Sequence, residues 1–201
     1  MRQASDGSGS AEVLYKLGSQ YDFDPVIDCS PDGRYLSYDA RNIRTGRFEN
    51  WILPLFGDRK PFQIAPASAS QFDGLFSPDG HWLAYFSYET GRSEVFVASF
   101  PGPGAKYQIS SGGAGVVRWG TGNRLFYATT GDRLVEAELA IDRQSLQVKS
   151  IRPMFTLPIL GVSGPQWDIT RDGNHIIAVT PASPEANSIG LLLNWQAELK
   201  K

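Results

Sequence analysis

Two histidines, one cysteine and scattered carboxylates are the residues of this sequence best suited to catalysis or metal binding, and their spacing argues against both. His81 and His175 stand in equivalent places just after two turn motifs, far apart in the chain. Catalytic zinc is usually held by three protein ligands, and no His-Glu-x-x-His is present. Cys29 is the single cysteine, which excludes an intrachain disulfide framework and a thiolate zinc cluster. A nucleophilic serine needs a base beside it and a sharp turn to present it. Gly161-Val162-Ser163-Gly164 lacks the Gly-x-Ser-x-Gly spacing of such a turn. Gly113-Ala114-Gly115 opens a Gly-x-Gly, but Arg118 stands where the next glycine of a phosphate cradle belongs, and no Walker lysine follows. Asp22 and Asp24 read as turn caps. Arg41, Arg44 and Arg47, offset by Asp39 and Glu49, read as a solvated loop. These residues predict a chain without catalytic residues, metal or cofactor of its own.

The composition narrows the class further. The chain has 201 residues, 41% hydrophobic and 20% charged, enough for a sizeable core. Its net charge of −2 supplies no basic field for nucleic acid. The longest strongly apolar stretch, Ile189 to Leu193, is far short of the roughly 20 residues that span a bilayer. No hydrophobic leader follows Met1, so neither nucleic acid nor membrane is expected as a partner within these residues. Twenty-one glycines and thirteen prolines alongside 12% aromatics point to many short strands and tight turns rather than helices.

A repeat organises those strands. Ser30-Pro31-Asp32-Gly33 returns as Ser77-Pro78-Asp79-Gly80, each followed by an alternating aromatic run, Tyr35-Leu36-Ser37-Tyr38 and Trp82-Leu83-Ala84-Tyr85. Thr45-Gly46-Arg47-Phe48-Glu49 returns as Thr90-Gly91-Arg92-Ser93-Glu94. Weaker copies occur at Gly120-Thr121-Gly122-Asn123 and Thr170-Arg171-Asp172-Gly173. In each Ser-Pro-Asp-Gly, proline pre-sets φ and glycine supplies the positive φ that closes a hairpin with a bulge. Four strands to a period of about 40 to 50 residues describe one blade of a β-propeller.

The expected fold is therefore all-β, with about four blades of four antiparallel strands at 20–65, 68–111, 112–159 and 161–201. Residues 1–19 are expected to form a linker and, at Ala11 to Leu17, a partial outer strand of a preceding or shared blade. Two arrangements fit: an open arc cut from a larger propeller, favoured because Met1 enters within a glycine-rich turn, or a small four-bladed ring closed by the strand near Val13-Leu14-Tyr15. An isolated arc would expose two apolar blade faces. Strands first in each blade would line the central channel and bring Asp28, Asp73, Arg118 and Asp168 near its axis. The face bearing the blade connections would gather Tyr21, Asp24, Arg47, Gln71, Phe72, Arg92 and Gln166, the candidates for ligand binding. The repeated Arg47/Glu49 and Arg92/Glu94 spacing reads either as a polar rim for a peptide or as a strand-edge ion pair that recurs with the blade.

The Ser-Pro-Asp-Gly turns with their aromatic strands resemble the WD-repeat-like propellers of TolB-like proteins. Trp51-Ile52-Leu53-Pro54-Leu55, Phe100-Pro101-Gly102-Pro103-Gly104 and the ending Leu192-Leu193-Asn194-Trp195 are most similar to propellers at the C-terminus of bacterial eukaryotic-like serine/threonine kinases. The third unit departs from the pattern at Trp119-Gly120-Thr121-Gly122-Asn123, which lacks the Asp-Gly turn. No His-Arg-Asp or Asp-Phe-Gly triplet is present, so any kinase activity would reside outside these residues. The resemblance implies a non-catalytic module that binds a protein or peptide, the sensory arm of a kinase whose kinase domain or further N-terminal blades lie elsewhere in the polypeptide. It also leaves a periplasmic TolB-like scaffold and the substrate-gating propeller of a prolyl oligopeptidase-like hydrolase. A bacterial, extracytoplasmic location is favoured.

Overall fold

The tight turns carry their own hydrogen-bond code. The Ser30 hydroxyl donates to Asp32 (2.6 Å) and accepts the Tyr35 amide (2.9 Å), while the Arg34 amide donates to Asp32 (3.0 Å). Ser77 and Asp79 hold the Trp82 and His81 amides in the same way, and Thr170 and Asp172 hold those of His175 and Asn174. Gly33, Gly80 and Gly173 close these turns at φ of 68°, 71° and 71°. The third turn, lacking serine and aspartate, is built differently. Gly122 and Asn123 both take positive φ, and the Arg124 guanidinium donates to the Thr121 and Asp172 carbonyls, tying this turn to the fourth.

The computed structural model describes residues 2–22, 25–64, 68–102, 104–143, 145–157, 167–170, 172–179 and 191–192. Among them there is no helix, and none long and apolar enough to cross a membrane. The first sheet contains β1 (Tyr21–Asp22), β2 (Val26–Cys29), β3 (Tyr35–Asn42), β4 (Phe48–Pro54) and β5 (Phe62–Gln63), with β1 and β2 both pairing β3. The second contains β6 (Gln71–Phe76), β7 (Trp82–Ser87), β8 (Glu94–Ser99) and β9 (Lys106–Gln108). The third contains β10 (Ala114–Trp119), β11 (Arg124–Thr129), β12 (Arg133–Ile141) and β13 (Leu146–Thr156). The fourth contains β14 (Trp167–Ile169), β15 (Ile176–Ala178) and β16 (Leu191–Leu192). All pairings are antiparallel, and from β2 onward neighbours follow chain order within each sheet, as a propeller of about four blades requires.

Alternation along the strands builds the core between sheets. In β7, Leu83 and Tyr85 face the first sheet and pack with Ile52, Phe76 and Phe100. Trp82 and Ala84 face the third and pack with Val117, Leu125 and Val135. Phe126 and Leu134 then meet Trp167 and Ile176 of the fourth.

The first and second sheets also share a polar joint. Buried Ser37 donates to the Gly74 carbonyl (2.5 Å), buried Asn50 donates to Asp39 (2.8 Å), and Asp39 accepts the Asp73 amide (3.1 Å). A Cβ on Gly74 would fall 2.6 Å from the Asn50 amide nitrogen. Gly74→Ala is therefore expected to cost about 1–3 kcal/mol through overpacking, read as a lower denaturant midpoint with an unchanged slope.

The N-terminal segment departs from the expected strand. Residues 11–17 form only an isolated bridge, Arg2 with Glu12, because Leu14 and Leu17 turn onto the outer face of the first sheet beside Tyr38, Trp51 and Leu53. Glu12 is fixed there by Arg2 (2.7 Å) and Arg59 (2.6 Å). This segment thus covers the first blade's apolar face, and among the described residues it makes no pairing with the fourth sheet. On the fourth sheet, Ile177 and Val179 remain 41% and 50% exposed. The expected start of the fourth blade at 161 and the C-terminal residues 193–201 lie outside the described residues.

Candidate functional site

The strands β2, β6, β10 and β14 set the site. These strands lie side by side, β2 against β6 and β6 against β10, and β2, β6 and β10 each carry a register shift. The shifts turn side chains toward the space these strands share. A pocket of about 470 Å³ opens there, lined by Pro25, Val26, Ile27, Leu75, Asp73, Arg118 and Asp168. Its volume suits a side chain or the end of a peptide.

Each charged group in the pocket is held differently. Arg118 donates from Nε to Asp168 (3.1 Å) and from Nη1 to the Val117 carbonyl (2.8 Å), and its guanidinium lies 5.8 Å from the Trp167 ring centre. Asp28, next in the chain to Ile27, accepts the Phe76 and Cys29 amides, each at 2.8 Å. Burial pushes its carboxyl above the ordinary range, against the pull of those amides and Arg118. Burial also pushes the Asp73 carboxyl up, opposed only by the charge of Arg118. Asp73 adopts φ of 54°, a left-handed conformation that Asp and Asn tolerate best.

A raised folded-state pKa means that ionised Asp73 opposes folding at neutral pH, and that this cost disappears as pH falls through its folded value. Asp73→Asn is expected to raise the thermal midpoint by roughly 1–3 °C at pH 7. Calorimetry should show the difference from wild type shrinking toward acid pH.

The residues expected on the connecting face have these contacts in the structure. The Tyr21 hydroxyl donates to Glu49 (3.1 Å) and its ring packs edge-on against Trp51 at 5.7 Å. Phe72 joins a half-buried aromatic group with Phe48 (4.7 Å), Phe86 (5.1 Å) and Tyr88 (6.2 Å). Arg47 is exposed next to Phe48. Gln71 is buried, and Asp24 and Gln166 lie outside the described residues.

The repeated Arg–Glu spacing gives two different outcomes. Arg92, 64% exposed, pairs with Glu94, 1% exposed, at 2.9 Å. Glu49 instead accepts from Tyr21, Asn42 (3.3 Å) and Gln63 (2.9 Å), and no ion pair joins it to Arg47 among the described residues. His81 and His175 stay in separate turns, and no cluster of three potential metal ligands occurs among the described residues.

No family model matches the chain. A curated relative, the lasso peptide isopeptidase AtxE2 of Asticcacaulis excentricus, is 28% identical over 171 residues, 66% of this chain and 23% of that protein. The chain thus spans about a quarter of its relative's length. Among solved structures, TolB from Acinetobacter baumannii superposes with a TM-score of 0.56 at 16% identity, over 77% of this chain and 37% of that one. Prolyl oligopeptidase B from Galerina marginata superposes with the same score at 13% identity, over 89% of this chain and 27% of that one. Both show the propeller fold.

The isopeptidase overturns the expectation that this chain is not an enzyme and that any hydrolase activity would lie outside it. That expectation rested on missing nucleophile and phosphate motifs, and a missing motif excludes no activity. At 28% identity the relationship is distant, but it sets a hydrolase among the chain's relatives.

Proposed function

We propose that the chain is the propeller of a peptide-processing hydrolase and that its inner-strand pocket receives a segment of the peptide. The likeness to an isopeptidase over 171 residues carries this reading. The pocket supports it, with apolar walls at Val26, Ile27 and Leu75 beside the charged groups Asp73, Arg118 and Asp168. A periplasmic location belongs to the same proposal and draws on the resemblance to TolB-like proteins.

The kinase-linked sensor is the second reading, carried by the segments Trp51–Leu55 and Phe100–Gly104; the relatives named above include no kinase. The two readings separate in one preparation. Antibody raised against this chain should capture the native polypeptide, which is then assayed for cleavage of peptide and isopeptide substrates and for phosphate transfer from labelled ATP. The hydrolase reading expects cleavage by a polypeptide well above 22.1 kDa. Phosphate transfer without cleavage would overturn it in favour of the sensor.

A further inference from the structure

We infer that the inner-strand pocket binds a primary ammonium group of a peptide, with the Asp73 carboxylate as its counter-ion. This rests on the peptide-handling reading and names what the pocket recognises. The Asp73 carboxylate is half-buried against the cavity and accepts no hydrogen bond among the described residues; its backbone amide alone is engaged, by Asp39. A carboxylate withdrawn from water without a donor carries a desolvation cost that a bound cation would relieve.

Among the described lining residues the cation is Arg118, and it is already engaged. Arg118 spends Nε on Asp168 and Nη1 on the Val117 carbonyl, so both of these donors are taken by the protein. Counting Asp73, Asp168 and Arg118, the lining carries an excess of negative charge, and Asp28, next in the chain to Ile27, has the same sign. Pro25, Val26, Ile27 and Leu75 supply apolar surface for the methylene or methyl groups next to an ammonium.

Two sources offer that chemistry, a peptide's amino terminus and a lysine side chain, and three probes tell them apart. These are a tetra-alanine amide with a free amino terminus, its N-acetylated form, and an N-acetylated form with one lysine. Binding to the 201-residue chain is followed by calorimetry at low ionic strength, in wild type and Asp73→Asn. Asparagine keeps the left-handed backbone and removes only the charge.

At least one ammonium-bearing probe is expected to bind about tenfold or more tighter than the acetylated tetra-alanine, and Asp73→Asn is expected to abolish that preference. Tight binding of the free-terminus probe alone assigns the chain end, and of the lysine probe assigns the side chain. Should Asp73→Asn unfold, competition by n-butylammonium against the bound probe reads the same contact. Equal binding of all three probes would overturn the inference and leave the peptide reading intact. Failure of every probe at millimolar concentration would also overturn it, and the cleavage assay would still decide the hydrolase reading.

Discussion

Trp82→Ala is expected to lower the thermal midpoint by roughly 10 °C, the largest effect of any single substitution considered for this chain. Trp82 is fully buried at the junction of the second and third blades, among Val117, Leu125, Val135 and Leu139. Its indole Nε1 donates to the Asp142 carbonyl (3.0 Å), and its ring lies 6.0 Å from that of Tyr107. Deleting the indole removes its transfer free energy and leaves a cavity that neighbouring strands cannot close without breaking their pairing, a cost of about 3–5 kcal/mol. Trp82→Phe retains most of the apolar volume and loses the hydrogen bond, so about 1–2 kcal/mol is expected. Thermal unfolding followed by circular dichroism checks both. Equal midpoints for alanine and wild type would show that the blades are not joined through this residue.

Glu94→Ala is expected to cost about 3 kcal/mol, because a buried carboxylate with four donors is lost at once. Its oxygens accept the Ser110 hydroxyl (2.5 Å), the Gly112 and Gly113 amides (2.8 and 2.9 Å) and Arg92 Nε (2.9 Å). This carboxylate organises the connection from the second blade to the third. Burial alone would raise its pKa, but the Ser110 and glycine hydrogen bonds, aided by Arg92, outweigh that and hold it below the ordinary range. A lowered folded-state pKa means that the contribution is present above the unfolded pKa and fades as pH falls from there through the folded value. Stability against pH should therefore rise less steeply between acid and neutral pH in Glu94→Ala than in wild type. Glu94→Gln separates charge from shape: it fills the same space but turns a donor toward groups that are themselves donors.

The difference between these two residues shows what could be read from the sequence. The turns around Ser30 and Ser77 are legible because all their hydrogen-bond partners lie within five residues. Trp82 is legible as a core residue through the alternating run that follows such a turn. The meeting of Asp73, Arg118 and Asp168 at one pocket follows from the repeat, which sets one first strand from each blade beside the next.

Glu94 invited the wrong comparison. Its matching partner at Glu49 shares the spacing, yet the carboxylates take different donors, because those donors lie on other strands and connections. The left-handed Asp73 and the close approach of Gly74 to Asn50 left no mark in the pattern either, since an Asp-Gly pair inside a strand is compatible with an ordinary ladder. The third turn shows a substitute device, an arginine bridging two turns in place of the serine–aspartate pair. The enzyme relationship is legible in no single residue and emerges only from likeness over most of the chain.

Peptide entry at β2, β6, β10 and β14 is tested most directly by photo-crosslinking. A peptide cleaved by the native polypeptide, bearing one photoreactive side chain, is irradiated in complex with it, and the attachment points are mapped by mass spectrometry. Attachment at Pro25, Val26, Ile27 and Leu75 is predicted, and it should diminish in Asp73→Asn. Attachment confined to the outer strands β5, β9 and β13, unchanged by that substitution, would contradict the account.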